Sequence, residues 1–310
     1  MAIEHIIGIK ELEKYLNTRF SKNMRDRIIA AGLRYKNITQ EERDEYLLDV
    51  ISTLMEDDII TAGEHRLPQW ENGWSENLET FKTVRRIESI IPRYHSKFPL
   101  VRWKQNIIRP TAEHFEYNML SIVVDWVFDS YLRNADTIFE FGCGPGHHLL
   151  RARQFNPKAR LVGLDWTKAS QKIILGIINS GIETNIEGHN FNFFKPNNNL
   201  NIPPNSGVYT VAALEQVGDR FESFLQFLVR KNPVICVHLE PIDELLDPRN
   251  LLDKLSIIYF HKRNYLKGFL SRLHELQDKG IITIHREQRT YIGSYFIEGH
   301  SLIVWSPTRK

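Results

Sequence analysis

Residues 139–146 read Phe-Glu-Phe-Gly-Cys-Gly-Pro-Gly, and this glycine-rich turn constrains the fold more than any other part of the chain. A short apolar, strand-like run (137–141) leads into the turn, and a helical pattern (147–154) follows it. A strand that turns through glycines directly into a helix brings backbone N–H groups and the unpaired donors of the first helical turn close to a ligand. Such a turn favours a carboxylate or a phosphate, and taken alone it does not distinguish one anionic ligand from another.

From residue 113 onward, strand and helix signals alternate, which is typical of a doubly wound α/β sheet. The first five predicted strands cover 137–141, 160–164, 185–188, 207–214 and 233–239. The predicted helices cover 117–132, 147–154, 168–179, 221–229 and 251–279. Two further strands, 281–291 and 295–305, are separated by only Ile292-Gly293-Ser294. Because so short a connection cannot be a parallel crossover, we expect a seven-stranded doubly wound sheet that ends in a C-terminal antiparallel hairpin.

The first third of the chain has a different pattern. Apolar residues recur at three- and four-residue spacing over about 9–60, which predicts helices. Residues 63–73 mix glycine, proline and aromatic residues and are predicted to form a loop; 77–90 are weakly helical, and 91–99 contain two prolines and predict an extended connection. We therefore expect a mainly helical region, 1–112, that covers the substrate or forms a homodimer interface, followed by a Rossmann-like domain, 113–310.

The composition excludes several classes of protein. Forty basic and 38 acidic residues leave a net charge of +2, so a nucleic-acid partner is disfavoured. Cys143 and Cys236 cannot form a disulfide framework, and no cysteine or histidine spacing predicts a metal site. With no secretory signal pattern at the N-terminus and no apolar run long enough to span a membrane, we expect a cytoplasmic protein.

The spacing of the glycines distinguishes between two kinds of adenosine-containing cofactor. The NAD fingerprint G-x-G-x-x-G would place glycine at position 147, where His147 stands. The chain instead has Gly142, Gly144 and Gly146, with Glu140 two positions before the first. This pattern resembles motif I, (D/E)-x-G-x-G-x-G, of the class I S-adenosylmethionine-dependent methyltransferases. Five strand–helix steps closed by an antiparallel hairpin are also the strand plan of that family, whereas a plain dinucleotide-binding domain keeps a parallel sixth strand.

The resemblance implies a role for several residues around S-adenosylmethionine. Glu140 would lie near the methionine amino group. Asp165, at the end of the second strand, would accept hydrogen bonds from the ribose hydroxyls, as acids at this position do in dinucleotide folds. Asn190 stands where the family usually has an acid, and its carbonyl oxygen would still accept a hydrogen bond from the adenine amine. The residues expected at the cofactor are Glu140, Phe141, Gly142, Cys143, Gly144, Gly146, Asp165, Trp166, Asn190, Phe191 and Glu215.

A neutral hydroxyl acceptor usually needs a general base. The candidates are Glu240 and His238 at the end of the fifth strand, and His261 on the following helix. Glu240 is preferred because it follows a buried strand at the edge where α/β sheets bind ligands. His147 and His148, beside the glycine-rich turn, are further candidates.

The absence of two motifs argues against some classes of methyl acceptor. Neither (D/N)-P-P-(Y/F/W) nor Pro-Cys follows the fourth strand, which disfavours a resemblance to the enzymes that methylate base and glutamine amines or carbon 5 of cytosine. Residues 94–109 mix basic and aromatic side chains, which suits an anionic metabolite or a sugar and also single-stranded nucleic acid. We expect O-methylation of a small molecule or a sugar/glycan; the alternatives are an RNA or protein methyltransferase, or an NAD-dependent oxidoreductase.

Overall fold

The structure is a computed structural model that describes residues 3–92, 95 and 97–309; Arg93, Tyr94 and Ser96, part of the predicted extended connection, lie outside the described residues. The N-terminal region begins with β1 (Glu4–Ile6), α1 (Ile9–Tyr15), α2 (Lys22–Ala31) and β2 (Arg34–Asn37). It continues with α3 (Gln40–Met55), α4 (Leu67–Val84), β3 (Val101–Trp103) and β4 (Asn106–Pro110). Helix α3 begins with a capping box, in which Thr39 and Glu42 each bind the backbone N–H of the other.

The C-terminal region alternates helices and strands as predicted. It opens with α5 (Phe115–Val127), which continues as a π-helical turn (Phe128–Leu132), and then β5 (Thr137–Phe141), α6 (His147–Arg153), β6 (Arg160–Asp165) and α7 (Lys168–Asn179). Next come β7 (Ile186–Asn190), β8 (Ser206–Val211), α8 (Glu222–Lys231), β9 (Ile235–Glu240), α9 (Leu251–Arg263) and α10 (Phe269–Asp278). The last strands are β10 (Ile282–Arg289), β11 (Ile292–Gly293) and β12 (Ser301–Pro307).

The large sheet has seven strands in the order β10-β12-β9-β8-β5-β6-β7. Strands β5 to β9 are parallel, whereas β12 runs antiparallel to both β9 and β10. This order confirms the predicted doubly wound sheet with a C-terminal antiparallel hairpin. The order of strands in the sheet reverses at β5, which has β6 on one side and β8 on the other. The carboxyl ends of these three strands therefore border the crevice where open α/β sheets bind ligands.

A second sheet, in the order β1-β2-β4-β3-β11, was not predicted, so the expectation of a mainly helical N-terminal region was incomplete. Its strands have only two to five residues, too few to show a clear alternating pattern. Strand β11 comes from the C-terminal region and pairs with β3, Ile292 opposite Trp103 and Gly293 opposite Arg102. The predicted three-residue hairpin connection was therefore wrong: the chain leaves the large sheet after Arg289 and returns at Ser301.

The start of α4 and the break between α9 and α10 differ most from the prediction. The predicted loop 63–73 contains the start of α4, which has Pro68 in its first turn, where the missing proline N–H costs nothing. The single helix predicted over 251–279 is two helices, because Asn264 and Gly268 adopt left-handed backbone conformations between α9 and α10. In the described parts of the chain, no helix combines the length and the apolar character needed to cross a bilayer.

Candidate functional site

The glycine-rich turn connects β5 to α6 at the carboxyl edge of the large sheet. Gly142, Gly144 and Gly146 have φ values of 75°, 50° and 79°, which glycine adopts without the steric cost other residues incur. Space is equally restricted: a Cβ on Gly142 would lie 2.3 Å from Ala213 Cβ, and one on Gly144 would lie 2.8 Å from Trp74 Cζ2. The turn therefore requires glycine both for its backbone conformation and for the close approach of neighbouring groups.

Asp165 ends β6 and holds the turn in place. Its Oδ2 accepts a hydrogen bond from Gly144 N at 3.0 Å, and its Oδ1 accepts from Thr167 N and Thr167 Oγ1 at 2.9 and 2.7 Å. Burial raises the pKa of Asp165 above its ordinary value, although these hydrogen bonds act in the opposite direction. The carboxylate thus lies beside the turn, and its oxygens retain acceptor capacity for a further donor.

Glu140 lies in β5 with only 2% of its surface exposed. Its Oε1 is hydrogen-bonded to His148 Nδ1 at 3.1 Å, across the first turn of α6. Burial raises the pKa of Glu140 well above its usual range and lowers the pKa of His148 well below its own. The adjacent His147 is buried, and neither of its ring nitrogens has a hydrogen-bond partner in the part of the chain that the structure describes.

A small cavity of about 60 Å³ opens above the turn. Gly142, Asp165, Ala212 and Ala213 line it where the strands end, and Gln216 and Val217 follow in the loop after β8. The remaining walls are aromatic: Trp70 and Trp74 come from α4, and the other members are Trp166, Phe191, Phe193 and Phe194. The cavity therefore combines a polar group at the sheet edge with several flat apolar surfaces, as small-molecule sites do.

Helix α4 covers this cavity. Trp70 and Trp74 stack with ring centroids 5.6 Å apart, and Trp74 lies against Gly144. Between them, Glu71 accepts hydrogen bonds from Lys168 N and Ala169 N at 2.7 and 2.9 Å, at the positive N-terminus of α7. Sequence reasoning missed this contribution because 63–73 was assigned to a loop. The recurrence of Trp70, Trp74, Leu78 and Phe81 at helical spacing is the signal that would have found it.

The other residues predicted at the cofactor have different surroundings. Trp166 and Phe191 line the cavity, whereas Phe141 packs in the core, 4.7 Å from the Phe191 ring. Cys143 is buried behind the turn, where its N–H donates to Leu164 O. Asn190 is exposed, does not line the cavity, and donates from Nδ2 to Trp166 O at 3.0 Å. The structure thus brings together the turn, Asp165, Trp166 and Phe191, and places Asn190 outside this group.

Glu240 is fully buried and organises the loop after β8. Its Oε1 accepts hydrogen bonds from Ala213 N and Leu214 N, and its Oε2 accepts from Glu215 N, each at 3.1 Å. Burial raises the pKa of Glu240 to about 7. Glu215 is also buried, and burial together with Glu240 raises its pKa to about 8. Glu240 therefore fixes the backbone that lines the cavity and does not itself line it.

His238 and His261 are also outside the cavity lining, as are the further candidates His147 and His148. His238 is fully buried, with Nδ1 hydrogen-bonded to Thr210 Oγ1 at 2.9 Å and its ring packed on Phe269. His261 has 54% of its side chain exposed, and its Nε2 lies 3.0 Å from Asp243 Oδ2. The catalytic roles suggested for Glu240, His238 and His261 remain predictions.

Three cations of the basic 94–109 segment have partners within the fold. Arg102 donates to Leu252 O at 2.6 Å from its Nη1, Lys104 pairs with Glu11 at 2.7 Å, and Arg109 pairs with Glu42 at 2.8 Å. Tyr94 lies outside the described residues. The described arginines and this lysine thus stabilise the second sheet and its contacts, and the anionic-ligand interpretation needs other cations.

Several solved structures of methyltransferases are similar to this chain. An O-methyltransferase family protein from Burkholderia thailandensis shares 15% identity over 63% of this chain and 58% of its own, with a TM-score of 0.45. The N-methyltransferase NodS from Bradyrhizobium japonicum WM9, in complex with S-adenosyl-L-homocysteine, shares 10% identity over 76% of this chain and 100% of its own, with a TM-score of 0.46.

Geranyl diphosphate C-methyltransferase from Streptomyces coelicolor A3(2), in complex with Mg²⁺, geranyl diphosphate and S-adenosyl-L-homocysteine, shares 11% identity over 64% of this chain and 86% of its own, with a TM-score of 0.44. The match spans 58% of the length of the Burkholderia protein. No protein-family model and no curated protein sequence matches the chain.

Proposed function

We propose that this chain is an S-adenosylmethionine-dependent methyltransferase. The observation that carries the proposal is the turn of Gly142, Gly144 and Gly146 at the end of β5, joined through Gly144 N to Asp165 at the end of β6. The turn lies at the crevice of a sheet whose closing strand, β12, is antiparallel. His147 stands where an NAD-binding turn needs glycine, and this sheet plan differs from that of a plain dinucleotide-binding domain.

The residues around the cavity fit the cofactor chemically. Asp165 would hold the ribose hydroxyls, Trp166 and Phe191 would flank the adenine, and Glu140 would face the methionine amino group. When bound, the cofactor supplies a methyl group on a positively charged sulfur, which is the source of its reactivity. The protein's own contribution is to orient the acceptor, exclude water and hold the turn rigid through the Asp165 and Leu164 hydrogen bonds.

The size of the cavity adds a requirement for movement. Its volume of about 60 Å³ is well below the roughly 300 Å³ at the lower end of small-molecule sites. Trp74 occupies the space directly over Gly144. A ligand with a nucleoside part therefore binds only when α4 moves away from the turn, and we infer that α4 closes over the ligand afterwards.

For the acceptor, we propose a small molecule or a sugar that is methylated on oxygen. A narrow, aromatic-walled cavity under a helix suits such an acceptor, and the net charge of +2 gives no sign of a polyanion partner. RNA or protein methylation is the alternative, as is NAD-dependent oxidation. A homodimer through the N-terminal helices also remains a proposal; Leu48 and Met55 of α3 are exposed apolar residues that such an interface would cover.

Titration calorimetry with S-adenosyl-L-homocysteine and with NAD⁺ tests the proposed function. We expect binding of S-adenosyl-L-homocysteine and none of NAD⁺. Asp165→Asn replaces one acceptor oxygen by a donor, and losing a hydrogen bond to a charged group costs about 1.5–3 kcal/mol. The affinity of this variant for S-adenosyl-L-homocysteine should therefore fall by roughly one to two orders of magnitude. Glu187→Gln, on the neighbouring β7, is the matched control and should bind normally. Preferential NAD⁺ binding, or no binding of S-adenosyl-L-homocysteine, would overturn the proposal.

A further inference from the structure

Two arginines lie close together where the end of α9 approaches the start of α4. Arg66 immediately precedes α4, and Arg263 is the last residue of α9, close enough to act electrostatically on Arg66. Only 6% of Arg66 is exposed, and its guanidinium lies over the Trp70 ring, 5.6 Å from the centroid. Because Trp70 is part of the cavity wall, Arg66 borders the cavity; we call Arg66 and its neighbour Arg263 the arginine pair.

The arginine pair is short of partners. Within the described residues, neither guanidinium has a carboxylate within 4.0 Å. Buried Arg66 Nε, Arg66 Nη1 and Arg263 Nε have no hydrogen-bond partner among those residues. Arg263 Nη2 donates to Tyr265 Oη at 3.3 Å, which leaves its charge uncompensated. Three donor N–H groups are thus buried away from water, and no acceptor in the described part of the chain binds them.

The nearby acid does not supply the missing charge. Glu215 interacts electrostatically with both arginines, but its Oε1 accepts a hydrogen bond from Gln216 Nε2 at 2.8 Å and forms no ion pair with either of them. Burial and Glu240 raise the pKa of Glu215 to about 8, so it is largely protonated at neutral pH. A buried and a partly buried cation without a counter-charge are costly, and they therefore favour binding of an anion.

We propose that Arg66 and Arg263 bind a carboxylate or phosphate group of the methyl acceptor and so fix the acceptor beside Trp70 and Gln216. A guanidinium offers a planar set of donors that matches both oxyanions. The Trp70 ring provides an apolar surface next to the charged group, and Gln216 lines the same cavity. This inference rests on the proposed function and adds to it the class of acceptor: a small molecule with an oxyanion near the methylated oxygen.

Thermal unfolding with added inorganic phosphate or acetate, against sodium chloride of equal ionic strength, tests the arginine pair. We expect one of the two anions to raise the Tm of the wild type, because a ligand that binds only the folded state stabilises it. Arg66→Gln and Arg263→Gln should lose this shift, and Arg66→Lys should keep a smaller one. The control is Arg133→Gln, which removes an exposed guanidinium near Asp129 and should leave the shift intact.

Two further measurements make the result decisive. Without added anion, the Tm of Arg66→Gln should equal or exceed that of the wild type, because an uncompensated buried charge has been removed. The affinity of Arg66→Gln for S-adenosyl-L-homocysteine should stay within about twofold of wild type, or about 0.4 kcal/mol. Equal anion shifts in all variants would overturn the inference. A loss of S-adenosyl-L-homocysteine affinity with normal binding of 5′-methylthioadenosine, which lacks the carboxylate, would also overturn it, because the anion would then be the cofactor's.

These arms separate the two proposals. If the wild type binds no S-adenosyl-L-homocysteine, the proposed function fails and the acceptor assignment fails with it, whatever the phosphate and acetate results. If S-adenosyl-L-homocysteine binds but neither anion shifts the Tm, only the arginine-pair inference fails. A shift with phosphate alone or acetate alone identifies which oxyanion the acceptor carries.

Discussion

Replacing His238 by asparagine should change how stability depends on pH. His238 is fully buried, and burial lowers its pKa from 6.5 to about 3. The folded state therefore keeps the imidazole neutral at pH values where the unfolded chain takes up a proton. The contribution of neutral His238 to stability is complete above pH 6.5 and is lost progressively as the pH falls towards 3. Asparagine does not titrate, and its amide offers Thr210 Oγ1 either a donor or an acceptor near the position of Nδ1.

The magnitude follows from this pKa difference. For each pH unit below 6.5, the free energy of unfolding of the wild type falls by about 1.4 kcal/mol through His238, and that of the variant does not. At pH 7.5 the variant should be less stable by about 1–3 kcal/mol, since the smaller side chain leaves a gap against Phe269. The difference in free energy of unfolding should then shrink by about 1.4 kcal/mol at pH 5.5. Urea denaturation at both pH values measures it, and all other titrating groups cancel in the comparison.

The matched control is Phe269→Leu, which creates a gap at the same contact without removing a titrating group. Its stability difference from the wild type should be the same at pH 5.5 and pH 7.5. If the His238→Asn difference were also independent of pH, His238 would not be held neutral by burial, and the reasoning would be refuted. A variant that keeps its stability and loses turnover would instead support the catalytic role predicted for His238.

Three other changes test the site. Gly144→Ala should abolish S-adenosyl-L-homocysteine binding in calorimetry, because φ is 50° there and Trp74 leaves no space for a Cβ. The control is Gly181→Ala, at φ 73° with open surroundings, which should bind normally. Equal binding by both variants would contradict the requirement for glycine in the turn. Trp74→Ala should speed the association of S-adenosyl-L-homocysteine in stopped-flow fluorescence by uncovering the turn; an unchanged rate would show that α4 does not limit entry. Glu215→Gln should gain stability relative to the wild type by about 1.4 kcal/mol per pH unit between pH 6 and 7.5. In the folded protein the pKa of Glu215 is about 8, above its ordinary value of 4.5. Protonated Glu215 therefore stabilises the wild type at low pH, and this contribution is lost as the pH rises. If the free energies of unfolding of the two proteins, measured in urea, changed in parallel with pH, this role of Glu215 would be ruled out.

The sequence predicted the large sheet well because its signals are local. Strand β5 and helix α7 were predicted with the bounds that the structure shows, since each is a periodic or apolar run ended by glycine, asparagine or aspartate. Likewise, the turn and Asp165 follow directly from glycine spacing and strand ends. These elements make the cavity floor, and they could be located without knowledge of any long-range contact.

The covering parts of the site depend on contacts that a local pattern does not encode. Trp74 contacts Gly144 only after α4 packs on α7. The same packing brings Glu71 to the N-terminus of α7, where it accepts hydrogen bonds from two backbone N–H groups. Glu240 was predicted as a base from its position after β9, but three backbone N–H groups of the neighbouring loop converge on it. The strands of the second sheet are too short to be identified alone, and long-range pairing defines them.

The pairing of β11 with β3 bears on how the chain is made. During synthesis, Val101–Trp103 leaves the ribosome long before Ile292–Gly293, so β3 has an open edge while most of the large sheet is being translated. An unpaired strand edge is a site for mistaken association. We expect the N-terminal region to remain vulnerable to proteases and dependent on chaperones until β11 arrives, and a fragment of residues 1–112 to aggregate when produced alone.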